Sequence, residues 1–97
     1  MAYRVIWSSK AVEDVDAIAT YIARDSPSYA AAVVRRILDT THQLKEDPMT
    51  GKVPPEFTEE SVREKNAYTY RIIYQIQDER VIVAAIVHTK ALIVMEV

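Results

Sequence analysis

The residues of this chain best suited to chemistry lie between Tyr68 and Lys90. Tyr70-Arg71-Ile72-Ile73-Tyr74 is followed by Asp78-Glu79 and then by Arg80-Val81-Ile82-Val83-Ala84-Ala85-Ile86-Val87-His88. Two β-rich alternating runs flanking a tight turn read as a hairpin. A guanidinium held on one face of a small sheet can present a cation to phosphate or to an acidic partner. An imidazole on the same face can add a base.

The pairing follows from the turn. With Asp78-Glu79 as its two residues, Gln77 faces Arg80, Tyr74 faces Val83, Ile72 faces Ala85 and Tyr70 faces Val87. That apolar set is expected to pack on helices. The other face then carries Thr69, Arg71, Ile73 and Gln75 against His88, Ile86, Ala84 and Ile82, with Arg71 diagonal to His88. A slip of one residue separates the two.

The elements that position this hairpin are legible upstream. Tyr3 to Ser8 reads as a strand. Ser8 or Ser9 caps a helix carrying Val12, Val15, Ile18, Ala19 and Ile22 at three-and-four spacing. Asp25-Ser26-Pro27 breaks and restarts the helix, since Ser26 can cap and Pro27 suits the first helical position. A second helix to about Glu46 is expected to bury Ala30, Val34, Ile37, Leu38, Thr41 and Leu44, giving an antiparallel helical hairpin. Asp47-Pro48-Met49-Thr50-Gly51 stops it, and Val53-Pro54-Pro55-Glu56 must be loop. Strands near Ser61–Lys65, Tyr68–Gln77 and Arg80–His88 then form an antiparallel meander, with Ala91 to Val97 as a last strand or docked tail. The expected class is α+β, in the order β-α-α-β-β-β.

Composition narrows the functions. A chain of 97 residues forms one domain, residues 1–97. The absence of cysteine excludes disulfides and thiolate metal sites and suits a reducing, cytoplasmic setting. No run is long enough to span a membrane. A net charge of −2 argues against a whole-surface nucleic-acid binder; residues 61–97 carry only five basic side chains against four acidic ones. His42 has no partner at ligand spacing, so neither metal nor cofactor is expected. With one glycine in the chain, phosphate-cradling loops have little room. Tyr68, Tyr70 and Tyr74, at period two beside Ile72 and Ile76, read as core filling in preference to base stacking. Arg71 also has a simpler reading, an ion pair with Glu64 on a solvated face.

Taken in order, Tyr3-Arg4-Val5, Ala11 to Ala23, Asp25-Ser26-Pro27, Leu44 followed by Pro48 and Gly51, Val53-Pro54-Pro55-Glu56, Arg63-Glu64, Tyr70 to Tyr74 and Val87-His88 resemble the ParE/RelE toxins of type II toxin-antitoxin modules. The Asp25-Ser26-Pro27 break, the Pro-Pro-Glu and Arg-Glu patterns and the slightly acidic balance are more similar to the ParE branch. That resemblance implies a protein that binds DNA gyrase without catalysis, with Arg63, Arg71, His88 and Lys90 contacting the target. The RelE branch implies instead a ribosome-dependent mRNA endonuclease using Arg71 and His88. A third reading is a non-toxic, antitoxin-binding member. In each case the partner implied is a cognate antitoxin, a DNA-binding dimer with a segment that wraps the toxin. One departure stands out: many ParE-like chains follow the histidine with glycine and two arginines, whereas His88 here precedes Thr89, Lys90 and Ala91. The apolar tail Ala91 to Val97 would be covered by the sheet edge, by the antitoxin or by a second copy in a homodimer.

Overall fold

The computed structural model describes residues 2–91 and residue 93. Strand β1 (Arg4–Trp7) leads into helix α1 (Ser9–Ala23) and helix α2 (Pro27–Gln43). A 3₁₀ turn at Pro48–Thr50 and a proline-containing loop then precede β2 (Val62–Ala67), β3 (Tyr70–Gln77) and β4 (Arg80–His88). The class is α+β, in the expected order. The last three strands form the antiparallel meander, and β1 joins β4 in parallel, giving a four-stranded mixed sheet in the order β1-β4-β3-β2.

Both helices start where side chains can receive their first free amides. Ser8 Oγ accepts from Ala11 N–H at 3.0 Å, and Ser26 Oγ accepts from Tyr29 N–H at 3.1 Å, with Pro27 at the first helical position. The helical hairpin lies on one face of the sheet. Ala11, Val33 and Ile37 pack there with Ala67, Ile72, Val83 and Ile86, while Leu44 packs with Tyr74 and Val81. Most of the expected inner residues hold: Val15, Ile18 and Ile22 pack on the core, and Ala30, Ile37, Thr41 and Leu44 are buried. Val12 and Leu38 are about half exposed, and Ala11 and Val33 hold the inner positions. On α1, Ala11, Val15, Ile18 and Ile22 keep three-and-four spacing, so the expected stripe holds except at its margin, where Ala11 takes the place of Val12.

The hairpin register is as expected from Gln77–Arg80 to Tyr74–Val83, and there it slips. Ala84 is an extra residue, so Ile73 faces Ala85, Ile72 faces Ile86, Arg71 faces Val87 and Tyr70 faces His88. This β-bulge turns every later side chain of β4 to the opposite face. Ala85 and Val87 leave the helix side, and Ile86 replaces them there. The bulge is held by the segment that starts α1. Ser8 N–H donates to Val83 O at 2.9 Å, Ser8 Oγ donates to Ala84 O at 3.0 Å, and Asp14 Oδ2 accepts from Ile86 N–H at 2.9 Å. These bonds occupy the β4 edge beyond β1, where a backbone amide would otherwise lack a partner.

The two tight hairpins share a feature. The first turn residue has positive φ in each, 55° at Asp78 and 54° at Tyr68. Asp78-Glu79 was expected as a turn; Tyr68 was not, because Tyr68-Thr69 contains no usual turn residue and extends the alternation of β3.

On its other face the sheet carries a smaller core of Val62, Ile73 and Ala85, covered by Phe57, Val87 and Ile93. Of the segment expected as a last strand or docked tail, Ile93 packs here, while Leu92 and residues 94–97 lie outside the described residues.

Gly51 shows how tightly the loop seats. The Tyr74 hydroxyl donates to Pro48 O at 2.6 Å and accepts from Gly51 N–H at 3.1 Å. A Cβ at position 51 would stand 2.2 Å from that hydroxyl and 2.7 Å from Glu64 O. Gly51→Ala is therefore expected to destabilise by about 1–3 kcal/mol through overpacking. Tyr74→Phe, which strands a buried amide and carbonyl, is expected to cost about 1–3 kcal/mol. Urea unfolding of each variant checks both values.

Candidate functional site

Three separate sequence patterns meet at one point. Glu56 comes from the Pro-Pro-Glu loop, Glu64 from the Arg-Glu pair on β2 and Arg71 from the Tyr-Arg start of β3. Arg71 Nε donates to Glu64 Oε1 at 2.5 Å, while Nη1 and Nη2 donate to Glu56 Oε2 and Oε1 at 2.8 and 2.6 Å. The guanidinium is thus gripped by a bidentate fork and a second carboxylate. Arg71 and Glu64 are only 6% and 4% exposed, so this is a buried ion cluster and not a solvated pair.

The same cluster ties down the chain after β4. Arg71 Nη1 donates to Ala91 O at 3.1 Å, and Glu56 Oε2 accepts from Ile93 N–H at 3.0 Å. Hydrogen bonding to Arg71 holds the Glu56 carboxyl at about 2, against an ordinary 4.5, outweighing the desolvation that would raise it. Arg71 is pushed above its ordinary value, first by its bonds to Glu56. Neither group can act as a proton donor or acceptor near neutrality while so paired.

Arg71 and His88 do not share a face. Arg71 lies with Ile73, Ala85 and Val87 on the face away from the helices, beneath the loop carrying Glu56 and Phe57. The extra residue at Ala84 puts His88 opposite Tyr70, where the two rings meet edge-on at 5.8 Å. The imidazole is exposed, and its Nδ1 accepts from Lys90 N–H at 3.1 Å, leaving Nε2 as the donor of the neutral ring. The expected pairing of a cation and a base on one open face is therefore overturned, as is the reading of Arg71 as a freely presented cation. The simpler expectation of an Arg71–Glu64 pair holds, but in a buried setting.

Arg63 is also engaged: its Nη1 donates to Gly51 O at 3.1 Å and its Nε to Glu60 O at 2.7 Å. These bonds brace the loop that carries Glu56. Lys90 is exposed and lines a cleft of about 270 Å³ with Lys52, Asn66 and the Arg71 cluster. Of the four residues expected to contact a target, His88 and Lys90 present their side chains and Arg63 and Arg71 anchor backbone.

Glu56 was missed as a site residue. Its signal was present in the coincidence of two acidic motifs and one arginine within one domain, but a contact spanning 15 residues has no periodicity to reveal it. Burial raises the Tyr74 phenol to about 12 and also raises that of Tyr70, with smaller contributions there from Tyr29 and Tyr21. Among the described residues, no group of three or more His, Cys, Asp or Glu can hold a metal ion. No described helix is long and apolar enough to cross a membrane.

This two-helix, four-strand architecture is shared with solved toxin structures. A chromosomal ParDE toxin-antitoxin system from P. aeruginosa matches with a TM-score of 0.73 at 20% identity, over 90% of this chain and 96% of that one. The toxin-antitoxin complex RelBE2 from Mycobacterium tuberculosis matches at 0.62 and 22% identity, over 91% and 99%. A mutant of E. coli toxin RelE in the free state matches at 0.66 and 17% identity, over 93% and 86%. At such identities the likeness establishes the fold alone. No curated protein sequence matches the chain. The model of the ParE toxin of the type II toxin-antitoxin system parDE matches residues 5–93, and the chain belongs to that family.

Removing Arg71 would leave two carboxylates facing each other out of water. Arg71→Ala is expected to destabilise by about 3–5 kcal/mol in urea unfolding, and Arg71→Lys by less, because charge is kept while the fork is lost. Because the folded-state value of Glu56 is depressed, its contribution is present above pH 4.5 and is lost as pH falls towards about 2. Glu56→Gln should flatten the acid limb of the stability profile over that window, as followed by circular dichroism at a series of pH values.

Proposed function

We propose that this ParE-family toxin acts by binding and not by catalysis, with DNA gyrase as its target. The observation that carries the reading is the fate of the Arg71–His88 pair. RNA cleavage asks for a proton acceptor near the attacking hydroxyl and cations around the scissile phosphate. Here the guanidinium is committed to Glu56 and Glu64, and the imidazole stands on the other side of the sheet. An exposed imidazole and ammonium at the end of β4 suit contact with an acidic or polar protein surface.

In this reading His88 and Lys90 touch the target. Arg71 and Arg63 act behind them, one fixing Ala91 and the other bracing the loop. Neutralisation by a cognate antitoxin, a DNA-binding dimer whose wrapping segment covers the toxin, is supported by family membership and by the ParDE and RelBE2 systems among the similar structures. The setting would be the cytoplasm, where gyrase works.

Purified protein is expected to inhibit gyrase supercoiling, and its expression without antitoxin to induce DNA-damage signalling. The double substitution His88→Ala and Lys90→Ala should raise the half-inhibiting concentration by about thirtyfold or more, the effect of losing one interface hot spot. Cleaved mRNA with undisturbed supercoiling would move the target to the ribosome, and normal growth at good soluble expression would mark a non-toxic member.

A further inference from the structure

Tyr68 occupies a position that its side chain does not favour. It is the first residue of the β2–β3 turn with φ 54°, where glycine, asparagine or aspartate meet less steric opposition than an aromatic residue. The equivalent position in the β3–β4 turn holds Asp78. The side chain does not enter the core, since 49% of it is exposed. Strain combined with exposure directs attention to function.

Around Tyr68 the surface is aromatic and cationic. Tyr29 of α2, itself 48% exposed, stands with its ring centroid 6.2 Å away at an interplanar angle of 58°. The Arg36 guanidinium lies 5.5 Å from the Tyr68 centroid. Arg36 also opens onto a polar cavity of about 350 Å³ between α2 and β2, lined by Asp39, Thr40, Gln43, Lys65 and Asn66. Ring faces, a guanidinium plane, an ammonium and a set of amide and carboxylate groups thus adjoin one another. Each answers to one part of a nucleotide: a base stacks on tyrosine and arginine, its edge bonds to Gln43 and Asp39, and its phosphate meets Lys65 and Arg36.

We propose that the Tyr29–Tyr68–Arg36 surface and the cavity beside it form a binding site for an unpaired nucleotide, recognised by an aromatic base and its phosphate. Two sources share that chemistry, a free mononucleotide and an extruded or unpaired nucleotide of a single strand. The site borders the Arg71 cleft at Asn66, which lines both, but Tyr29, Tyr68, Arg36 and Lys65 take no part in that cleft, and the proposal does not depend on the identity of the toxin's target.

Fluorescence anisotropy with a short labelled oligothymidylate and the matching oligouridylate, beside calorimetry with AMP and ATP, tests the proposal at low salt. Saturable binding to a strand or to a mononucleotide supports it and identifies the source. Tyr68→Asn should weaken that binding by about tenfold or more while holding or raising the melting temperature, because asparagine accepts positive φ and offers no ring to stack on. Tyr68→Phe should bind as the parent does. Arg36→Ala and Lys65→Ala should each lower the salt dependence of oligonucleotide binding by about one phosphate contact, whereas Arg80→Ala, at the opposite hairpin turn, should not. The proposal is overturned if no probe binds at low salt, if Tyr68→Asn binds as tightly as the parent, or if it loses stability and binding together.

Discussion

The buried contact of Arg71 with Glu56 and Glu64 connects parts of the chain that nothing else holds so closely. One guanidinium joins the proline loop, the edge strand β2, the central strand β3 and the segment after β4. An arginine suits the place because its five donors lie in a fixed plane, and four of its bonds here are made to three different partners. Two carboxylates around one cation leave a net negative charge in a poorly solvated position, an arrangement tolerable only while every donor and acceptor is matched. The Ile93 amide helps to match it by donating to Glu56. Charge balance inside the cluster and the path of the chain outside it are therefore one constraint.

A second polar junction works alongside the first. The Tyr74 hydroxyl spans Pro48 O and Gly51 N–H, and Arg63 reaches Gly51 O from the neighbouring strand. The loop between α2 and β2 has little regular structure, yet it is fixed at two interior points, at Gly51 by a phenol and at Glu56 by a guanidinium. The motif residues that tie this protein to its family are largely spent on this architecture. Their presence speaks for the scaffold.

The sequence was informative where a local rule governs. Ser8 and Ser26 cap because each precedes a helix with its hydroxyl within reach of the third amide, Pro27 suits the first position of α2, and α2 ends ahead of Asp47-Pro48. The Asp78-Glu79 turn was legible because Asp tolerates positive φ. What was not legible depends on contacts distant in sequence. The bulge at Ala84 has no composition of its own; Ala84-Ala85 continues the alternation, and the slip is fixed by Ser8 and Asp14 more than 70 residues away. One inserted residue was enough to separate Arg71 from His88, so the two-residue site failed while the fold that contains it was correct. The turn at Tyr68 was hidden for the opposite reason, since its side chain imitates the strand pattern and contradicts the backbone that it occupies.

The parallel pairing of β1 with β4 also sets an order in time. Arg4–Trp7 aligns with Arg80–Val83, and Ser8 reaches across 76 positions to Ala84. During synthesis β1 leaves the ribosome early but has no ladder to join until β4 follows it. A chain interrupted before the second hairpin has a strand without a neighbour, a helix start without the carbonyl that Ser8 seeks, and an Asp14 with no amide to hold. Translation thus withholds the finished sheet until β4 has been made, and a product truncated before β4 leaves β1 without its ladder.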